Sequence, residues 1–290
     1  CHLLKLVIHK GEQIYGDALH PELASYYYMI GDFLMEEIEN EGENIGQKNQ
    51  EMGDKPATDG NKNGTDPMDP GIDPEAIQSA WENLETARHI LQKRLDQQNY
   101  TGDEEKTTLI SKLAIINSRI GDCECWQDKF IEAIAAYNLA LELRESIESS
   151  QTSRAIAEIY FMLANATAYT QERLPGRTPV DYYSKAAKIL QNILVEKYEK
   201  AGVEVVVDSS QIVQKGLVKP RLEDDDSIKE VKSVLSDLYQ RLEDAKIEEE
   251  AMKQCEEAKR REKEEDKQVL NAFGKPIAPT EDRKIKNRSE

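Results

Sequence analysis

One spacing of small and aromatic residues constrains this sequence more than any other feature. In the middle of the chain, Gly121 is followed by Ala133, Tyr137 and Ala140, at offsets of 12, 16 and 19 residues. A glycine inside a helix costs about 1 kcal/mol relative to alanine, so it needs a packing reason. Small residues at these offsets on successive helices let the two helices approach closely. The spacing therefore predicts a helical hairpin.

A second copy of this spacing is interrupted. Ala80 and Leu84 lie 49 and 53 residues after Gly31, and they repeat the internal step of four residues between Ala133 and Tyr137. The interval from the glycine to the first alanine is 12 residues in the intact copy, so 37 extra residues interrupt this hairpin. We expect its two helices at about 22–39 and 74–95.

A third copy follows with alanine in place of glycine. Ala164 takes the place of the glycine and Tyr183 that of the aromatic residue. The turn at 171–179 contains Pro and Gly residues and is about three residues longer than the intact spacing requires. We expect the following residues to pack between paired helices: Gly31, Ala80, Leu84, Ala87, Gly121, Ala133, Tyr137, Ala140 and Ala164.

These offsets resemble those of the tetratricopeptide repeat, which predicts an all-α fold, a superhelix of helical hairpins. The first residues look like the end of an earlier hairpin, so we expect further sequence upstream of Cys1. Four repeats are enough to bury a continuous apolar seam. The expected organisation is a first-repeat remnant at 1–20, a second repeat at 21–95 with a disordered acidic insertion at about 40–73, a third repeat at 105–148, a fourth at 153–200, a connector at 201–224, a capping helix at 225–255 and a charged, disordered tail at 256–290.

A narrow apolar seam follows the repeats. Its residues are alternately three and four apart: Ile228, Val231, Leu235, Leu238, Leu242 and Ala245. Fewer than three heptads carry the seam, so we predict a long helix that caps the array. A homodimer formed through this seam stays the alternative. From residue 256 the charges alternate with almost no apolar face, which is typical of a solvated helix or a disordered tail.

Charge and composition limit the partners and the chemistry. The chain has 56 acidic and 38 basic residues, a net charge of -18, which repels nucleic acid and anionic lipid and favours a basic partner. No apolar run approaches the roughly 18 residues that a membrane span needs. The four cysteines and four histidines have no metal-ligand spacing, and no Gly-rich phosphate loop occurs. The sequence therefore predicts no enzyme, catalytic residue, metal site or cofactor.

Candidate partner-binding residues lie in the insertion and on the first helices of the repeats. Residues 36–73 contain 11 acidic residues and three lysines. Tetratricopeptide arrays bind through the concave face of their first helices, where a carboxylate after each glycine would repel a carboxylate ligand. The acidic candidates are Glu36, Glu37, Glu39, Glu41, Glu43, Glu51 and Asp54, and the groove candidates are Asp32, Tyr28, Asp122, Trp126 and Phe161. For the three aromatic residues, packing inside the array stays an alternative.

The whole pattern resembles one family. An acidic segment that splits the second of four repeats, followed by a charged C-terminal helix, resembles the nuclear autoantigenic sperm protein family of histone chaperones. The resemblance covers most of the chain and is most specific at TyrTyrTyrMetIleGly (26–31), AlaTrpGluAsnLeuGluThrAlaArg (80–88), 121–140 and LeuGluAspAlaLys (242–246). It implies binding of core histones three and four, and in some relatives of linker histone, for storage, transport or nucleosome assembly. It also implies a nuclear protein that shuttles with the cytoplasm.

A second function stays open at this point. A cytoplasmic tetratricopeptide adaptor or co-chaperone that binds a peptide would use the same kind of groove. The charge of the ligand separates the two functions, because a histone is basic and the peptides held by co-chaperones are acidic or end in a free carboxylate.

Overall fold

The computed structural model describes residues 2–51, 73–170, 176–200 and 225–273. Over these residues the chain is all-helical without a β-strand, which confirms that the fold is all-α. Contacts divide the chain into two units, Cys1–Leu242 and Glu243–Glu290. The described elements are α1 (His2–Tyr15), a 3₁₀ turn (Pro21–Leu23), α2 (Ala24–Glu51), α3 (Pro74–Asp96), α4 (Gly102–Trp126), α5 (Phe130–Glu145), α6 (Arg154–Ala168), α7 (Pro179–Lys200) and α8 (Asp226–Phe273).

Successive helices of the first unit pack as hairpins. Helix α2 packs on α3, α4 on α5 and α6 on α7, and each hairpin packs on the next through α3 with α4 and α5 with α6. Most of the buried side chains between them are aliphatic or small, and some are fully buried, such as Leu84, Leu113 and Leu163. Burial of such side chains, at about 25 cal/mol per Å² of apolar surface, is the main stabilising contribution to an array of this kind.

Two glycines set how closely the paired helices approach. A Cβ atom on Gly31 would lie 2.6 Å from Cγ of Leu84, and one on Gly121 would lie 2.4 Å from Cε1 of Tyr137. The same packing therefore occurs across the interrupted and the intact interval. Of the three residues that follow Gly121 at the repeat offsets, Tyr137 is the one that a Cβ atom on this glycine would meet. All nine residues that the spacing singled out are buried.

The interrupted hairpin differs from expectation at the end of its first helix. Helix α2 continues to Glu51, twelve residues beyond the expected end, so residues 40–51 of the predicted disordered insertion are helical. A Cβ atom on Gly42 would lie 2.8 Å from Cη2 of Trp126. This glycine is therefore a point of close packing and does not break the helix. The rest of the insertion, 52–72, lies outside the described residues.

The second helix of this hairpin begins where the sequence predicts. The Asp73 side chain accepts a hydrogen bond from the Glu75 backbone N–H at 2.9 Å, and Pro74 takes the first helical position. A carboxylate at the N-cap and a proline at the first position both favour a helix start. The predicted range of 74–95 agrees with the observed Pro74–Asp96 to within one residue.

The first part of α8 lies against α6 and α7. Glu230 pairs with Arg154 at 2.7 Å, and Lys197 Nζ donates to Ser227 Oγ at 2.9 Å. All residues of the predicted seam are buried: Ile228, Val231, Leu235, Leu238, Leu242 and Ala245. Because residues 226–242 contact α6 and α7, the structure favours a capping helix over a helix that is free to form a coiled-coil dimer.

The charged part of α8 is helical to Phe273, which agrees with the solvated helix predicted from its alternating charges and not with a disordered tail over 256–273. The side chains of 256–264 are exposed and include ion pairs four residues apart, such as Arg260 with Glu264 at 3.7 Å. Each exposed pair of this type stabilises a helix by a few tenths of a kcal/mol. The predicted connector at 201–224 and residues 274–290 lie outside the described part of the chain.

Candidate partner-binding face

The first helices of the hairpins, α2, α4 and α6, carry most of the predicted binding residues. We call the solvent-accessible side of these three helices the first-helix face. In α2, the segment 24–42 has five carboxylates and no lysine or arginine. These carboxylates are Asp32, Glu36, Glu37, Glu39 and Glu41. The face is therefore acidic at α2 through its own sequence.

Arg119 of α4 joins the acidic residues of α2 to those of α4. Its Nε donates to Asp32 Oδ1 at 2.7 Å, and its Nη1 donates to Glu39 Oε1 at 2.7 Å and to Asp122 Oδ2 at 3.3 Å. The arginine side chain is 18% exposed and that of Glu39 is 41% exposed. We call these four residues the Arg119 cluster. With three carboxylates and one guanidinium, the cluster has a net charge of -2.

Tyrosine hydroxyls hold the remaining oxygens of two carboxylates in the cluster. Tyr28 donates to Asp32 Oδ2 at 3.2 Å, and Tyr137 donates to Asp122 Oδ1 at 2.8 Å. The third hairpin repeats the second contact, because Tyr183 donates to Asn165 Oδ1 at 2.6 Å. The interrupted hairpin has a leucine at the place of this tyrosine. Asp32 therefore accepts its hydrogen bonds from Tyr28 of α2 and Arg119 of α4.

Burial and charge set the protonation of the cluster. Burial, reinforced by Asp32, raises the pKa of Tyr28 to about 12, so its hydroxyl is a donor at neutral pH. Burial alone would lower the pKa of Arg119, but the hydrogen bonds that it donates to Asp32 and Glu39, together with the negative charge of Glu39, raise this pKa above its ordinary value. Burial also raises the pKa of Asp122, against the opposing effect of Tyr137 and Arg119. The cluster therefore holds a permanently charged guanidinium at neutral pH.

Exposed carboxylates continue along α2 beyond the cluster. Glu36, Glu37 and Glu41 are exposed. The backbone of Glu43 and Glu51 belongs to the same helix, and Asp54 lies outside the described residues. The exposed carboxylates of Glu36, Glu37 and Glu41 can attract a basic partner over a distance of about one Debye length, roughly 8 Å at physiological ionic strength.

The aromatic candidates have different surroundings. Trp126 packs on Gly42 of α2 and keeps 39% of its surface exposed. Phe161 of α6 is half-buried, and its ring lies 5.9 Å from that of Tyr183. Arg241 of α8 places its guanidinium 5.2 Å from the Phe161 ring centre, which is within cation–π range.

A small apolar slot lies beside Phe161. It measures about 250 Å³ and is lined by aliphatic side chains of α6, α7 and α8, including Ala157, Leu190 and Leu238. Arg154, Glu158, Asp237 and Arg241 surround it with charge. The slot is smaller than the roughly 300–1,000 Å³ of small-molecule sites, so it is better suited to a single apolar side chain of a protein partner.

A larger groove lies at the ends of two hairpins. It measures about 490 Å³ and lies between the start of α5, the end of α6 and the start of α7. The rings of Phe130 and Tyr169 stack along it at 4.7 Å, and Ile131 is 70% exposed beside them. None of the candidate binding residues lines this groove.

The structure brings some candidates together and leaves others apart. Asp32, Glu39, Asp122 and Tyr28 meet in one hydrogen-bonded group. Sequence reasoning missed the basic residues at the site, Arg119 and Arg241. The absence of basic residues in 24–42 is a signal that its carboxylates need a partner from elsewhere, but it does not identify that partner.

The described cysteines differ in exposure: Cys123 is buried, Cys125 is half-buried and Cys255 is exposed. Burial raises the pKa of the Cys123 thiol to about 12 and also raises that of Cys125, so neither is a thiolate at neutral pH. In the part of the chain that the structure describes, no group of three or more His, Cys, Asp or Glu side chains could hold a metal ion. None of the described helices is long and apolar enough to cross a membrane.

Comparison with known proteins adds no assignment. Neither a scan against models of protein families nor a search of curated proteins found a match to this sequence.

Proposed function

We propose that this chain is a histone chaperone: a tetratricopeptide superhelix that binds core histones three and four, and also linker histone, for storage, transport or nucleosome assembly. It acts by binding alone, without a cofactor, in the nucleus and during transport through the cytoplasm. The observation that carries the proposal is the acidic first-helix face, in which α2 has five carboxylates and no basic residue over 24–42. A face of this charge is complementary to a basic protein.

The packing of the hairpins supports the tetratricopeptide part of the proposal. Gly31 meets Leu84 and Gly121 meets Tyr137 at corresponding places in two hairpins. The interruption between Gly31 and Leu84 corresponds to the insertion that the resemblance implies. In a superhelix of this type the first helices line the concave side, so the first-helix face would form the groove that holds a partner.

The electrostatics of the face fit a histone in two ways. Exposed carboxylates such as Glu36 and Glu41 would speed the encounter with a basic partner and compete with DNA for it. The same charge disfavours nucleic acid as a direct ligand. Long-range attraction raises the association rate, whereas buried contacts lengthen the lifetime of the complex.

The slot beside Phe161 would supply a buried contact. An apolar residue of a histone helix could fill it, while the surrounding charged side chains contact the polar residues of the same helix. Most of the free energy of binding at a protein interface comes from a few such aromatic or apolar side chains. The slot and the acidic surface of α2 therefore have complementary roles, in affinity and in selectivity.

Mixing the purified chain with histones three and four on a sizing column at moderate salt tests the proposal. We expect a stable complex that elutes earlier than either component, and a weaker complex at higher salt because the attraction is screened. Linker histone is expected to comigrate as well. Failure of all these histones to comigrate at low and moderate salt would contradict the proposed function.

A cytoplasmic adaptor is the second candidate, and Arg241 is the observation that favours it. Its guanidinium lies over Phe161 beside the apolar slot, an arrangement that suits a peptide with an apolar residue next to a carboxylate. Acidic and C-terminal peptides in place of histones test this candidate on the same column. Complex formation with such peptides and not with histones would favour the adaptor.

A further inference from the structure

Arg119 is a basic side chain within the acidic part of the first-helix face. It lies between α2 and α4 and contacts Asp32, Glu39 and Asp122 through two of its nitrogens. Tyr28 and Tyr137 hold further oxygens of the same carboxylates. A basic partner that approaches this part of the face therefore meets carboxylates that already accept hydrogen bonds from within the protein.

We propose that Arg119 is an internal competitor, which binds the carboxylates of its cluster in place of an arginine side chain of the partner. The inference rests on the proposed function, because it needs a basic partner on the first-helix face. The cluster itself demonstrates the fit, since its carboxylates already hold a guanidinium at hydrogen-bond distances. Arg119 lowers affinity for the partner and at the same time stabilises the fold.

The two effects have opposite signs when the arginine is removed. Asp32 and Glu39, with side chains 28% and 41% exposed, would become available to solvent and to a partner. The net charge of the cluster would change from -2 to -3. The same change removes the bridge between α2 and α4 and leaves the largely buried Asp122 with fewer donors, which destabilises the fold. If Arg119 had only a structural role, its removal would lower the stability of the fold and the affinity for the partner together.

The test compares Arg119→Gln with Arg144→Gln. Arg144 is a matched control, because it is 13% exposed, donates to Ser111 at 3.0 Å and Glu148 at 2.7 Å, and lies away from the cluster. Both variants are expected to melt at a lower temperature than the wild type. Only Arg119→Gln is expected to bind an oligo-arginine peptide and histones three and four more tightly, by about three- to tenfold, with a steeper dependence on salt.

Further variants and probes keep the test decisive. Arg119→Lys retains the charge but cannot bridge three carboxylates in a fixed fork, so it is expected to fold well and to show a smaller gain in affinity. Unchanged or weaker binding in a folded Arg119→Lys and Arg119→Gln, or an equal gain in Arg144→Gln, would overturn the inference. An oligo-lysine peptide is expected to gain less than oligo-arginine.

The design separates this inference from the proposed function. Wild type that binds no histone would contradict the proposed function, while a gain of oligo-arginine affinity in Arg119→Gln would still support the competitor. Wild type that binds histones, with no gain in either Arg119 variant, would contradict only the competitor.

Discussion

Gly121→Leu is expected to lower the melting temperature of the chain by roughly 6–12 °C, measured by circular dichroism. The first atom of any side chain at this position would lie 2.4 Å from the Tyr137 ring, and leucine adds three more carbon atoms behind it. The ring cannot move away freely, because its hydroxyl donates to Asp122. Overpacking of this severity costs about 3 kcal/mol or more.

Thr107→Leu is the control for Gly121→Leu, because Thr107 lies on the same helix and is exposed. It introduces the same side chain without a clash, so we expect its melting temperature to stay within about 2 °C of the wild type. Similar melting of both variants would mean that α4 and α5 do not pack in the register described here.

Leu235→Asp is expected to have an equally large effect on the end of the array. Leu235 is 1% exposed in the seam of α8, and a carboxylate placed there would be buried away from water. The cost of about 4 kcal/mol or more would detach this part of α8 from α6 and α7. Thermal melting is expected to shift down by roughly 8–16 °C, and limited proteolysis is expected to cut within 226–242.

Ser236→Asp adds the same charge one residue later, on the exposed side of α8, and serves as the control. It should melt like the wild type. The same samples test the homodimer alternative by sedimentation. Should the wild type sediment as a dimer that Leu235→Asp converts into a stable monomer of unchanged melting temperature, the seam would be a coiled-coil contact and not a cap.

The spacing of small and aromatic residues made the helical hairpins predictable. A packing rule that repeats along the chain leaves a periodic signal, so Gly31 could be paired with Leu84 across the inserted residues. The extension of α2 could not be predicted in this way. Gly42 reads as a helix breaker in isolation, and the contact that explains it comes from Trp126, far along the chain.

The candidate site was predictable only for its acidic members. Asp32 and Asp122 each come directly after a repeat glycine, so the repeat spacing predicts their positions. Arg119 bonds to Asp32 and Glu39 at separations of 87 and 80 residues, and no local pattern connects them. The exposure of a carboxylate depends on such partners, so sequence charge alone overstated how many acidic groups are free to bind.

The central claim is that the first-helix face holds the partner. The most direct test is the affinity of histones three and four for Phe161→Ala, compared with their affinity for the wild type and for Ile131→Ala. Phe161 lines the slot on that face, whereas the exposed Ile131 lines the separate groove beside Phe130 and Tyr169. Loss of an aromatic anchor is expected to weaken binding by about tenfold or more, while Ile131→Ala leaves it unchanged. Unchanged binding in a folded Phe161→Ala, or a greater loss in Ile131→Ala, would contradict the account.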